Sequence, residues 1–187
     1  MYANLIVLAI CTGLLVGLAM GGARLPASGD APDVPLVYDI PAAGVAVAAY
    51  GTFFSMPWRL LPIPVAIGML AHAARWLVLS VGAGSAPMGA LVACSIVGAM
   101  GTPIADRLRL PFAALGFASV VSLIPGAFLF QMAGELVDLV SLGPKAPSDL
   151  LPSIVANGFS AFVIILAMTL GLILPRMVIE RSFPMDP

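Results

Sequence analysis

Long apolar runs separated by short polar segments are the feature that most constrains this chain. A membrane-spanning helix needs about 20 largely apolar residues. The sequence contains six runs near that length, at residues 2–22, 40–57, 60–82, 87–105, 111–132 and 152–175. The 187 residues are 61% hydrophobic and 9% charged, whereas a soluble domain carries about 25% charged residues. The pattern predicts an all-α, polytopic membrane helix bundle of about six transmembrane helices, forming one transmembrane domain over residues 1–187.

The first run, 2–22, has a second interpretation as a cleaved secretory signal peptide. Such a peptide begins with a positively charged region, and "MYAN" carries no charged side chain. We therefore expect an additional N-terminal helix. Cleavage of this run would leave the orientation of the other five unchanged.

The distribution of Lys and Arg predicts the orientation, because these residues collect in cytoplasmic loops. With the N-terminus in the cytoplasm, the inner segments hold Arg59, Arg107, Arg109, Arg176 and Arg181, and the outer segments hold only Arg24 and Lys145. The outer segments, 23–39 and 133–150, also contain most of the carboxylates: Asp30, Asp33, Asp39, Glu135, Asp138 and Asp149. Six spans with both termini in the cytoplasm satisfy this bias along the whole chain.

Two ionisable residues interrupt the third run, which includes "IGMLAHAARWLVL". At about 1.5 Å per residue, His72 lies about 18 Å and Arg75 about 22 Å into a core of about 30 Å. Their spacing places both on one helical face with Gly68, where a small residue permits close helix packing. Ionisable groups at this depth are expensive and mark functional sites. The structural alternatives are that Arg75 extends to the headgroups and that His72 bonds a backbone carbonyl.

The middle of the fifth run reads Ser122-Leu123-Ile124-Pro125-Gly126. Pro removes a backbone donor and Gly loosens the turn, so we expect a broken helix. Broken helices near the midplane hold substrates in many transporters, although an ordinary proline kink is the alternative. The sixth run adds Asn157, a polar side chain beside Gly158.

Several classes of function are disfavoured by the sequence. Cys11 and Cys94 lie in apolar runs, and the chain has one His, so we expect no metal site and no cofactor. The net charge of −1 gives no basic surface for nucleic acid. No phosphate-binding Gly-Lys-Ser/Thr loop occurs, so ATP is not the expected driving force. An intramembrane hydrolase is a distant candidate, because no nucleophile motif accompanies the His.

Residues 40–175 resemble the C-terminal half of the threonine/serine exporter family, or the small free-standing protein that corresponds to that half. The resemblance rests on "FFSMPWRLL", "HAAR", "VG", "IPG", "AN" and a closing Gly…Pro, in the family's order and spacing; the best-fitting positions are Pro57, Arg59, Gly68, His72, Arg75, Gly98, Pro125, Gly126 and Asn157. A two-gene version of the family is associated with succinate export. The chain departs from the family at Ser122, where a Pro is frequent, and at Phe130, where a Tyr is common.

The resemblance implies a subunit of a secondary exporter in the bacterial cytoplasmic membrane, for small carboxylates or hydroxy amino acids. It also implies a separate membrane partner that supplies the missing N-terminal half, or else a homo-oligomer. The expected substrate-binding residues are His72, Arg75, Ser122, Pro125, Gly126 and Asn157. Arg75 would bind a substrate carboxylate and His72 would titrate during the transport cycle. A membrane scaffold that transports nothing is the competing hypothesis.

Overall fold

The computed structural model describes residues 35–80 and 85–182, together with positions 16 and 20. The predicted span 2–22 and the segment 23–34 lie outside the described residues, apart from those two positions. Within the described ranges every regular element is helical: α1 Leu36–Phe53, α2 Pro62–Ser80, α3 Ala86–Leu108, α4 Phe112–Val120, a 3₁₀ turn Val121–Leu123, α5 Gly126–Leu142, a 3₁₀ turn Gly143–Lys145, and α6 Leu150–Ser182.

Five of these helical segments are long and apolar enough to cross a membrane: α1, α2, α3, Gly126–Lys145 and Leu150–Arg181. Many of their large apolar side chains are exposed in the isolated chain, among them Phe162 at 62% and Val178 at 63%. Contiguous apolar surface of this kind is suited to lipid or to another membrane protein. The predicted all-α membrane fold is confirmed.

The described residues belong to two compact units. The first, which we call the core unit, comprises the described residues of Asp33–Pro125 and Phe162–Pro187. The second, which we call the hairpin unit, comprises α5 and the part of α6 up to Ala161. In the core unit α2 packs against α1, α3 and α4, and Val47, Val97 and Leu115 are fully buried.

Glycines bring α3 and α6 into backbone contact within the core unit. A Cβ atom on Gly98 would lie 2.8 Å from the carbonyl oxygen of Leu172, and a Cβ on Gly171 would lie 2.6 Å from the carbonyl oxygen of Leu91. Both distances are too short for a real side chain. Such contacts are typical of membrane helices, where association depends on close packing because lipid removes the hydrophobic driving force.

The fifth predicted span is broken where the sequence predicted. Helix α4 gives way to a 3₁₀ turn, Ile124 is extended at φ −57° and ψ 133°, and a new helix begins at Gly126. The clash between a proline ring and the preceding residue disfavours helical ψ at that residue, which explains the extended Ile124 before Pro125.

Two predicted loop boundaries were wrong. Helix α5 continues to Leu142, although a polar outer segment was expected from residue 133. Helix α1 begins at Leu36, which places Asp39 in its first turn rather than in the preceding loop. In both places a carboxylate suggested a loop, but each carboxylate has hydrogen-bonding partners on another segment. Those partners lower the cost of its burial.

Candidate functional site

His72 is held in the middle of α2 by close contacts on either side. His72 is 7% exposed, and Ala71 and Ile67 on the same helix are also buried. One turn earlier, a Cβ on Gly68 would lie 2.7 Å from Cγ2 of Val47 in α1 and 3.2 Å from the carbonyl oxygen of Ser119 in α4. The missing side chain therefore lets α1 and α4 approach α2 together, and their polar residues come within reach of the imidazole.

Both ring nitrogens of His72 have side-chain partners. Nδ1 lies 3.3 Å from Oδ2 of Asp39 in α1, and Nε2 lies 3.0 Å from Oγ of Ser122 in the 3₁₀ turn. We call this arrangement the Asp39–His72–Ser122 chain. An ionised carboxylate can only accept a hydrogen bond, so the neutral ring carries its proton on Nδ1. Nε2 then accepts a hydrogen bond from the Ser122 hydroxyl.

Ser119 secures the segment that carries Ser122. Its buried hydroxyl lies 2.9 Å from the carbonyl oxygen of Leu115 and 3.3 Å from that of Pro64, at the start of α2. The second contact joins α4 to α2 one helical turn before the break. In the described residues no buried side-chain nitrogen or oxygen lacks a hydrogen-bonding partner, so the polar groups of the core unit form a satisfied network.

Arg75 lies one turn beyond His72 and is partly buried. Its side chain runs along α3, because a Cβ on Gly89 would lie 3.2 Å from Cγ of Arg75. Among the residues that the structure describes, the ion pairs are His72–Asp39 and Arg176–Glu180, and Arg75 takes part in neither. Arg75 therefore adds a cationic residue to α2 one turn from His72.

Pro125 and Gly126 form the junction at which the chain passes from the core unit to the hairpin unit. Pro125 is buried and sets the extended conformation of Ile124. A Cβ on Gly126 would find its nearest neighbour, Cε2 of Phe130, at 3.8 Å, so the space there accepts a larger residue.

Asn157 belongs to the hairpin unit, where it is 3% exposed. Its Nδ2 lies 3.0 Å from Oε2 and 3.2 Å from Oε1 of Glu135 in α5. Ser153, one turn earlier on α6, donates to Oε1 at 2.5 Å. The expectation that Asn157 binds substrate together with His72 and the broken helix stays a prediction.

Sequence reasoning missed Asp39, Glu135 and Ser153. A carboxylate in the first turn of a helix is favoured by the helix dipole, and Asp39 precedes an apolar run, so this position offered a signal. Glu135 is followed by a mostly apolar stretch to Leu142, interrupted by Asp138 and Ser141, which also favoured a longer helix. No pattern singles out Ser153. In the described ranges no three His, Cys, Asp or Glu residues come together as a metal site.

Apolar helices of spanning length, a helix broken at Pro125 and a partly buried polar chain beside the break define a multi-pass membrane protein. Comparison with known families is more specific. The family described as Threonine/Serine exporter, ThrE, matches residues 39–178, a range that includes Asp39 and all the candidate residues. The chain belongs to this family, which consists of membrane transport proteins rather than enzymes. No solved structure matches the chain.

Proposed function

We propose that this protein is the membrane subunit of a secondary exporter for small carboxylates or hydroxy amino acids. The observation that carries the proposal is the Asp39–His72–Ser122 chain, which lies beside a broken helix and one turn from Arg75. Ionisable side chains inside a membrane are expensive, and they are retained where substrates or protons move. Family membership supports transport, and the substrate class is what the resemblance to the exporter family implies.

Arg75 supplies the positive charge for a substrate carboxylate. A guanidinium presents parallel N–H donors that match the two oxygens of a carboxylate, and it stays charged at any physiological pH. Small carboxylates and hydroxy amino acids share this anionic group.

Protonation of His72 reverses the hydrogen bond to Ser122. A neutral ring accepts at Nε2, so the Ser122 hydroxyl points its proton at the ring. An imidazolium donates from both nitrogens, so Ser122 becomes the acceptor and its own proton turns outward. The hydroxyl at the helix break is then free to donate to a substrate. This reversal couples the charge of His72 to the affinity with which the Ser122 hydroxyl, at the helix break, binds an anion.

The proposal includes a partner and a location. The chain acts in the bacterial cytoplasmic membrane, with both termini in the cytoplasm, together with a membrane protein that supplies the other half of the exporter. A homo-oligomer is the alternative to that partner. The partner rests on what the resemblance implies, which is a separate membrane protein for the other half of the exporter.

Reconstitution of the chain with and without its partner half tests the central claim. Vesicles that hold both proteins are expected to export labelled serine, threonine or succinate, while the chain alone should not.

In the active complex, Arg75→Lys should impair transport despite the retained charge, because the planar fork of the guanidinium is lost. His72→Gln should flatten the dependence on pH across about 5.5–7.5, one unit either side of the ordinary histidine pKa of about 6.5. Normal transport by both variants would favour a scaffold.

Topology has its own test. Cysteines placed at Ser28 and Ser148, in a background without Cys11 and Cys94, should react with an impermeant thiol reagent from outside the cell. If they react only after the membrane is opened, the orientation is reversed.

A serine hydrolase is a second candidate, favoured by one observation. The carboxylate, imidazole and hydroxyl of the Asp39–His72–Ser122 chain follow the order of an acyl-transfer triad. Catalysis also needs oxyanion donors. A fluorophosphonate probe separates the two functions, because it labels an activated serine covalently. Labelling of the wild type that is lost in Ser122→Ala would support hydrolysis, and unlabelled protein that transports would exclude it.

A further inference from the structure

Glu135 places a carboxylate in the middle of a membrane-spanning segment of the hairpin unit. The apolar segment extends over Gly126–Lys145, so at about 1.5 Å per residue Glu135 lies about 14 Å from either end. The hydrocarbon core of a bilayer is about 30 Å thick. Glutamate at that depth is rare and marks an ion pathway or a proton relay by default.

Two neutral donors from α6 form hydrogen bonds with this partly exposed carboxylate. Oε1 accepts from Ser153 at 2.5 Å, within the range of charge-assisted O–H···O⁻ bonds. The Asn157 amide donates across both oxygens at 3.0 and 3.2 Å. Ser153 and Asn157 are four positions apart, so both project from one face of α6. A Cβ on neighbouring Gly158 would lie 2.9 Å from Sδ of Met132 in α5, which shows that the two helices are close here.

The charge of Glu135 has no cationic partner in the described part of the hairpin unit. On α6 the residues from Leu150 to Ala161 include no ionisable side chain, and on α5 the other ionisable group is the exposed Asp138, one turn away. Lys145 lies at the far end of the segment. The hydrogen bonds from Ser153 and Asn157 therefore reach a carboxylate that has no counter-charge in the described part of the hairpin unit.

We propose that Glu135 is a proton-binding site in the membrane. When the carboxylate takes up a proton, its new O–H donates to Ser153 Oγ, whose own proton turns away, and the amide of Asn157 keeps its bond to the other oxygen. The Glu135 site thereby changes its charge while it keeps a hydrogen bond to each of Ser153 and Asn157. This inference goes beyond the proposed exporter function, because it requires neither His72 nor a transported substrate.

The amino-acid composition makes a direct test possible, since Glu135 and Glu180 are the only glutamates in the chain. The full chain, labelled with carbon-13 glutamate and placed in lipid bilayers, is followed by infrared spectroscopy of the carboxyl C=O band. The pH range of about 4–9 covers the ordinary glutamate pKa of about 4.3 and upward shifts of 3–5 units. We expect one band from a non-aqueous carboxyl that grows as the pH falls.

Matched variants assign that band. Glu135→Gln should remove it, and Glu180→Gln should keep it, because Glu180 is exposed and paired with Arg176. Ser153→Ala removes a donor to the ionised form, so the midpoint of the band should move to higher pH by about one to two units. A carboxyl that stays ionised throughout, or a band that follows sodium concentration at fixed pH, would overturn the proposal. A failure of transport leaves this measurement unaffected.

Discussion

Removing the negative charge of Asp39 is expected to shift the pH dependence of transport. Asp39→Asn keeps the size of the side chain and one oxygen that can accept from Nδ1 of His72. It removes the charge that favours the imidazolium. The protonated state of His72 is therefore harder to reach, and half-maximal transport should move to lower pH.

The geometry limits the size of that shift. Hydrogen bonds to charged groups contribute about 1.5–3 kcal/mol, and neutral ones contribute about 0.5–1.5 kcal/mol. The Nδ1–Oδ2 distance of 3.3 Å exceeds the 2.7–2.9 Å typical of charge-assisted pairs, and the Asp39 side chain is 26% exposed. Both facts favour the lower end of each range. Replacing the charged hydrogen bond with a neutral one therefore costs the imidazolium about 1 kcal/mol. Since about 1.36 kcal/mol corresponds to one pH unit, we expect a shift of about 0.7 unit.

The assay is initial export rate against pH in vesicles that contain the active complex. Asp106→Asn is the matched control, because Asp106 is an exposed carboxylate near the end of α3; its profile should overlay the wild type. The reasoning is refuted if Asp39→Asn leaves the profile in place while His72→Gln flattens it, because the carboxylate would then exert no influence on the ring.

Two further predictions concern the backbone. Gly171→Ala should lower resistance to unfolding in mixed micelles by about 1–3 kcal/mol, because the new methyl group would meet backbone atoms of α3; Gly158→Ala on the same helix meets only the flexible Met132 sulfur and should be neutral or gain up to about 1 kcal/mol. Equal effects would contradict the role of the backbone contact. Replacing Pro125 and Gly126 together with Ala should allow a continuous helix and abolish transport while membrane insertion stays normal, and full transport by this double variant would reduce the break to an incidental kink.

The sequence predicted the helices better than it predicted their ends. Run length and apolar content depend on the lipid environment alone, so they identified α1, α2, α3 and α6 as spans, and Pro125 identified the break. The span Gly126–Lys145 was missed over most of its length, because residues 133–150 were expected to form an outer loop. Hydropathy penalises a carboxylate regardless of its partners. Asp39 and Glu135 were therefore assigned to loops, although their partners lie 33 and 22 positions away in the chain. Interactions over such separations are a property of packing, which a single sequence does not display.

For the candidate residues too, the sequence showed which positions are unusual but not which side chains they contact. His72 and Arg75 stood out because a charge in an apolar run has few neutral explanations, and Gly68 indicated a close neighbour. The identity of that neighbour decides the chemistry. Under the proposed function, contacts of His72 with a carboxylate on one ring nitrogen and a hydroxyl on the other let its protonation reorient Ser122, whereas a bond to a backbone carbonyl would fix its tautomer and leave it inert.

The two polar clusters differ in the partner given to the carboxylate, and this difference predicts different behaviour. Asp39 faces a ring that can itself become positive, so protonation of His72 creates an ion pair and leaves the net charge of the pair near zero. Within the described part of the hairpin unit Glu135 accepts from the neutral donors Ser153 and Asn157, so its protonation removes a charge that this part of the unit does not balance. Asp39 is therefore suited to tune the state of its neighbour, and Glu135 is suited to carry the proton itself. Variants of the two carboxylates should accordingly be separable, with a shifted pH profile at Asp39 and a lost proton-binding signal at Glu135.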